Sequence, residues 1–126
     1  MSSLTDPIEG VRHHEVGGLE IDTLRAGNGR LKRTVYPPGW RWSTHMQPVS
    51  GTPYCMHTHL GFLAQGRIAG VYEDGCEYDV VAPQFAVVEA GHDTWVVGDE
   101  PAVFISWDSE EGTARRFGLP ERHDHG

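Results

Sequence analysis

The sequence predicts an all-β fold, a sandwich or barrel of short antiparallel strands, and three observations carry that prediction. Sixteen glycines and eight prolines in 126 residues punctuate the chain with turn chemistry. β-rich runs recur about every eight to twelve residues between those turns. No stretch of about eleven residues or more carries a helical apolar period.

In order, residues 1–14 read as a polar tail closing on His13-His14. Leu19–Leu24 reads as a lead-in strand between Gly17-Gly18 and Gly27-Asn28-Gly29. Leu31–Tyr36 is a second strand, stopped by Pro37-Pro38-Gly39. Trp40–His45 reads as extended, with both tryptophans on one face, and a loop from Pro48 to Pro53 follows.

The central stretch is Tyr54–Gly66. Read as a strand, it places Cys55, His57 and His59 on one face at steps of ~6.6 Å. Phe62-Leu63-Ala64 continues it as an apolar run to the turn at Gln65-Gly66. Arg67–Glu73 and Cys76–Val81 flank Asp74-Gly75, the residue pair expected of a two-residue type I′ hairpin. Phe85–Val88, His92–Val97 and Ala102–Trp107 complete the strands, and the chain is polar from Asp108 onward.

The totals exclude several functions. A formal charge of −8 argues against nucleic acid or an anionic membrane surface as partner. No apolar run approaches the ~20 residues of a membrane span, and no signal segment opens the chain, so a cytoplasmic protein is expected. Two cysteines, Cys55 and Cys76, make no disulfide scaffold, and both are expected as free thiols. Phosphate-loop, dinucleotide and nucleophile-elbow motifs are lacking. A Cys55–His57 nucleophile pair has no oxyanion site marked beside it.

Residues 31–107 resemble the cupin superfamily of small antiparallel jelly-roll barrels. The histidine strand ending in Phe62-Leu63-Ala64-Gln65-Gly66 is similar to the first cupin motif, and Pro83–Gly91 with His92 to the second. The phrase Gly91–Pro101 also resembles a branch of uncharacterised bacterial cupin-domain proteins. The resemblance implies a single jelly-roll domain over 1–126, with its barrel core at about 31–107, a small-molecule ligand and a homodimer. Leu19–Leu24 is expected to pair with the neighbouring subunit's sheet. The motifs depart from the usual pattern. Counting back from Gly66, His59 occupies the usual Glu position, while Cys55 and Pro53 occupy the histidine positions. Thr94, not His92, stands at the histidine position of the second motif. The ligand set therefore has to be read from these residues themselves.

That reading takes His57, His59, His92 and Cys55 as metal ligands. The ion would be a divalent transition metal (Zn, Fe(II) or Ni), because imidazole and thiolate favour these over magnesium or calcium. Cys55 is alternatively a packed, inert thiol. The substrate pocket is expected to involve Trp42, His45, Tyr54, Phe62, Arg67, Tyr72 and Trp95, with Arg41, Gln47, Gln65 and Tyr78 as further polar contacts. His13, His14, His123 and His125 are expected to be solvated, and metal binding to weaken as pH falls through about 6.5. Three functions stay open: a metal-dependent enzyme of dioxygenase or Lewis-acid lyase or isomerase type, a non-catalytic ligand binder or sensor, and a metal-free barrel. No catalytic residue is assigned.

Overall fold

The computed structural model describes residues 3–109 and 112–123. Within them the strands are β1 (Arg12–Val16), β2 (Leu19–Ala26), β3 (Gly29–Tyr36), β4 (His59–Gln65), β5 (Arg67–Tyr72), β6 (Glu77–Val81), β7 (Gln84–Val88), β8 (His92–Val96) and β9 (Ala102–Ser109). Three short helices, α1 (Trp42–His45), α2 (Gln47–Ser50) and α3 (Thr113–Phe117), sit in the connections. The strands form a six-stranded sheet in the order β1-β2-β3-β9-β4-β7 and a three-stranded sheet in the order β6-β5-β8. Every recorded pairing is antiparallel.

The core lies between the sheets. The larger sheet supplies Leu19, Ile21, Leu63, Ala86, Ala102 and Phe104, and the smaller one Ile68 and Val96. Trp40, Trp42 and Cys55, from the long β3–β4 connection, close one side of this core. Trp40 is fixed there by its indole N–H, which donates to Gly17 O at 2.8 Å.

Four local expectations are corrected. Trp40–His45 is not extended: Trp42–His45 forms a helical turn, and both tryptophans are buried through a bend rather than through strand alternation. Tyr54–Thr58 is not strand either, so Cys55, His57 and His59 do not share one pleated face; β4 begins only at His59. The Asp74-Gly75 turn is longer than two residues. Gly75 N–H closes it onto Tyr72 O at 2.9 Å, Asp74 Oδ1 accepts from Cys76 N–H, and only Gly75 has positive φ. A type I′ turn needs positive φ at both central residues, and Gly17-Gly18 between β1 and β2 meets that condition instead, with φ 55 and 81.

The fourth correction is the role of the N-terminal region. Arg12–Val16, whose first three residues read as tail, is the edge strand β1, and it pairs with β2 from Arg12↔Thr23 to Val16↔Leu19. β2 is thereby held on both sides, by β1 and β3, and has no free edge for a neighbouring subunit. Asp22 and Arg33, both buried, form an ion pair across β2 and β3 at 2.7 Å. Arg33 Nη1 also donates to Leu4 O and Asp6 O, which straps the N-terminal segment to the sheet.

At one end of the large sheet the usual apolar-inside rule is inverted. Leu24 and Leu31, cross-strand partners, are 48% and 47% exposed, whereas the Lys32 side chain on the opposite face is 15% exposed. The outer face continues through Phe62 and its partners Phe85 and Ile105, with Phe85 78% exposed. Alternation alone assigns Leu31 inward and Lys32 outward, and the structure has them the other way round.

Candidate metal centre and cavity

Cys55, His59 and His92 each present a donor atom, and these atoms all lie within 4.8 Å of one another. Each arrives by a different route. His59 opens β4, opposite Val88 of β7. His92 opens β8 and is 1% exposed. Cys55 belongs to no strand, but its N–H donates to His92 O at 2.8 Å and its carbonyl accepts from Gly91 N–H at 2.7 Å. That isolated bridge holds the thiol against the start of β8.

The Cys55–His59 separation is that of two ligands on a tetrahedral ion. Cys55 Sγ lies 3.7 Å from His59 Nε2, against the ~3.6 Å that separates sulfur and nitrogen ligands at the usual zinc bond lengths. His92 Nδ1–H donates to Glu89 O at 2.6 Å. A carbonyl only accepts, so the proton sits on Nδ1 and Nε2 keeps its lone pair, the arrangement by which ligand histidines are oriented. The His59 and His92 rings stand edge-on at 5.1 Å, and Phe104 packs edge-on against His59 at 6.5 Å.

Burial sets the protonation states. It depresses His92 to about 4 and holds His59, with help from neighbouring His92, well below the usual imidazole range. It pushes the Cys55 thiol up to about 11, despite the His57 backbone N–H that favours the thiolate. Two neutral imidazoles and a protonated thiol therefore face one another near neutral pH, and only the thiol must lose a proton to bind an ion.

The cluster opens on a cavity of about 1480 Å³ lined by Cys55, His57, His59, His92, Thr94, Phe104, Trp40 and Trp42 among others. His57 lies outside the close group: it is exposed at the rim, its Nδ1 4.0 Å from Cys55 Sγ. Of the expected pocket residues, Trp42 lines the cavity. His45 stacks on Trp40 outside it, and Tyr54 is half-buried in the connection before Cys55. Phe62 faces outward against Phe85. Arg67 is exposed and paired with Asp79, and Trp95 lies under the Arg41 guanidinium at 4.4 Å on the far face of β8.

Tyr72 lies behind His92 rather than in the cavity. Its ring stands 6.3 Å from that imidazole and stacks at 3.7 Å on His123. His123 is not a solvated tail residue: its N–H donates to Ala90 O, and its ring bonds Glu89 at 3.1 Å. Tyr78, whose hydroxyl bonds Thr94 Oγ1, closes the same wall over Gly70, where a Cβ would collide with the tyrosine. His13 bonds Asp22 at 2.8 Å, His14 is exposed on β1, and His125 lies outside the described residues. Cys55 and Cys76 are free thiols.

Sequence reasoning missed the basic lining, Lys32 above all. The one available signal is that Lys32 shares strand parity with Thr34 and Tyr36, which also line the cavity.

No family model matches the sequence, and no curated protein matches it. Solved structures do. The chain is similar to a cupin-2 domain protein of Rhodospirillum rubrum, with a TM-score of 0.58 at 16% identity over 82% of this chain and 72% of that one. It is similar to the cupin domain of Cnp3 from Schizosaccharomyces pombe, with a TM-score of 0.55 at 13% identity over 88% and 77%. A cupin-like protein of Thermotoga maritima gives a TM-score of 0.52 at 13% identity over 73% and 68%. The chain has the cupin fold. Within this cupin fold the His/Cys cluster lies inside the cavity, and no helix among the described residues is long and apolar enough to cross a membrane.

Proposed function

We propose that this cupin binds a divalent transition metal through Cys55, His59 and His92 and acts on a small organic molecule in the adjoining cavity. One observation carries the reading: three soft or borderline donors, from residues 55–59 and from His92 far along the chain, converge within 4.8 Å at the wall of a cavity. Placing them there would be hard to explain by packing, since a buried imidazole, a half-buried one and a buried thiol put polar atoms where apolar residues would cost nothing. The donor set favours zinc, ferrous iron or nickel over magnesium or calcium. When bound, such an ion supplies Lewis acidity or, if iron, redox chemistry with dioxygen.

The protein's own contribution is positional. Glu89 O sets the His92 tautomer, the Cys55–His92 bridge places the thiol, and Phe104 confines the His59 ring. His57, at the rim, is a candidate fourth donor. A non-catalytic binder or sensor is favoured by a different observation: none of the described carboxylates belongs to the close group, so no general base is marked there. Elemental analysis of protein purified without a histidine tag tests the metal. Oxygen uptake with added ferrous iron on 1,3-diketones, thiols and catechols separates an oxygenase from a binder.

We infer a homodimer formed through the outer face of the large sheet, where Phe85, Val87, Ile105, Leu31 and Leu24 are exposed together. Light scattering should give twice the 14.0 kDa chain mass. Phe85→Glu should return the monomer; a wild-type monomer at micromolar concentration overturns the assignment.

A further inference from the structure

The chain carries ten Lys and Arg against eighteen Asp and Glu, yet the cavity reverses that balance. Arg12, Arg25, Arg30, Lys32 and Arg115 line it, half of all the basic residues. Asp108 and Glu121 are the carboxylates that line it among the described residues. A protein of net charge −8 has no need to gather its cations around one concavity unless something negative goes there, because the same residues on the outer surface would offset self-repulsion equally well.

Lys32 is the deepest of these cations, with a side chain 15% exposed. It projects inward from β3 while its neighbour Leu31 is turned to the outside, so burying this ammonium costs free energy in two ways at once. Asp108 accepts from Lys32 at 3.0 Å and from Arg30 at 3.4 Å. One carboxylate shared by two cations leaves a net positive charge at the wall. Next to Lys32 on the ladder stands Ser106, whose buried Oγ has no hydrogen-bond partner. Lys32 lines the same cavity as Cys55, His59 and His92, so the ammonium and the donor cluster face one space.

We propose that the cavity takes a small organic anion whose carboxylate or other acidic head group is held by Lys32 and Arg30, with the rest of the molecule directed toward Cys55, His59 and His92. The proposal names the ligand class for the cavity of the preceding reading and rests on that reading only for where the ligand's other end lies. Arg12, Arg25 and Arg115, exposed toward the mouth, draw the anion in. Lys32 lies inside this concavity, at 15% side-chain exposure, which favours a small molecule over a macromolecular polyanion.

Calorimetry at constant ionic strength tests this with malonate, inorganic phosphate and uncharged malonamide as probes. Each is titrated into zinc-loaded protein and into protein stripped by chelator. Malonate or phosphate should bind both forms, and malonamide at least about tenfold more weakly. Lys32→Met should weaken the anion at least about tenfold with zinc content unchanged, and Lys32→Arg should restore most of the affinity. If Lys32→Met does not fold, Arg30→Gln, altering an exposed side chain, decides the matter and should weaken binding several-fold. Anions that bind no better than malonamide, or binding unaffected by the folded variants, overturn the proposal. Absence of zinc from wild-type protein overturns the metal reading instead, and anion binding to stripped protein is then judged by itself.

Discussion

Two clusters of potential ligands in this molecule satisfy the same distance condition, and they differ in everything else. In the interior, Cys55, His59 and His92 meet within 4.8 Å; on the surface, so do His13, Glu15 and Glu20. The interior imidazoles are depressed by burial, whereas His13 is raised, first by its hydrogen bond to Asp22. Glu15 and Glu20 are cross-strand partners on exposed β-sheet, where water solvates both charges. His13 serves structure: it caps the Asp22 carboxylate that pairs with buried Arg33. Proximity of donors therefore does not define a centre. What distinguishes the interior group is that its donors are desolvated, neutral and adjoin a cavity.

The sharpest break of the comparison is metal retention. His59→Ala or His92→Ala should each weaken zinc binding by more than about a hundredfold, or ~3 kcal/mol, as expected when one of a few ligands is lost. His13→Ala should leave zinc content unchanged. Equal retention in all three variants, measured by elemental analysis after dialysis, would place the site elsewhere.

Acid stability of the metal-free protein comes next, because the two clusters have opposite signs. His92 falls from the usual 6.5 to about 4 on folding, so between those values the unfolded chain binds more protons. Its contribution is present above pH 6.5 and is lost as pH falls toward 4, by about 3 kcal/mol, and His59 adds in the same direction. His13 is raised, so its contribution is present below pH 6.5 and is lost as pH rises through its folded value. Urea unfolding across pH should show the acid limb flattened in His92→Gln and retained in His13→Gln.

Asp22→Asn sharpens the structural side. Removing the charge opposite Arg33 should cost about 2 kcal/mol, less than a typical broken buried pair because Arg33 keeps its bonds to Leu4 and Asp6 carbonyls. Thermal unfolding should report that loss while zinc affinity stays constant.

Taken per pH unit, the smallest effect is the proton traffic of Cys55. With the thiol held up at about 11, binding as thiolate displaces one proton, and zinc affinity should rise about tenfold per pH unit between 6 and 9. Cys55→Ser should flatten that slope. The imidazoles, already neutral, add little to it, so the loss of affinity that an ordinary histidine would bring near pH 6.5 shifts to lower pH.

The sequence by itself determined the all-β class, the cupin likeness and the residues whose chemistry suits a metal, because turn spacing and residue type are local properties. Leu31–Tyr36, Arg67–Val81 and His92–Val97 were legible for the same reason, within a residue or two of their ends. Which donors meet was not local. Cys55 and His59 approach through an irregular segment pinned to β8, not through strand periodicity, and that backbone pairing spans 37 positions of the chain from Cys55 to His92. Nor could alternation tell which face of β3 is inside, since Leu31 and Lys32 each break the usual rule. Only the sheet order, with β3 between β2 and β9, turned the lysine into the cavity and the leucine out of it. Apolar burial fixes strand orientation where the interior is packed core. Where the interior is a cavity, polar and charged residues can occupy the inward positions, and the pattern no longer reports the fold.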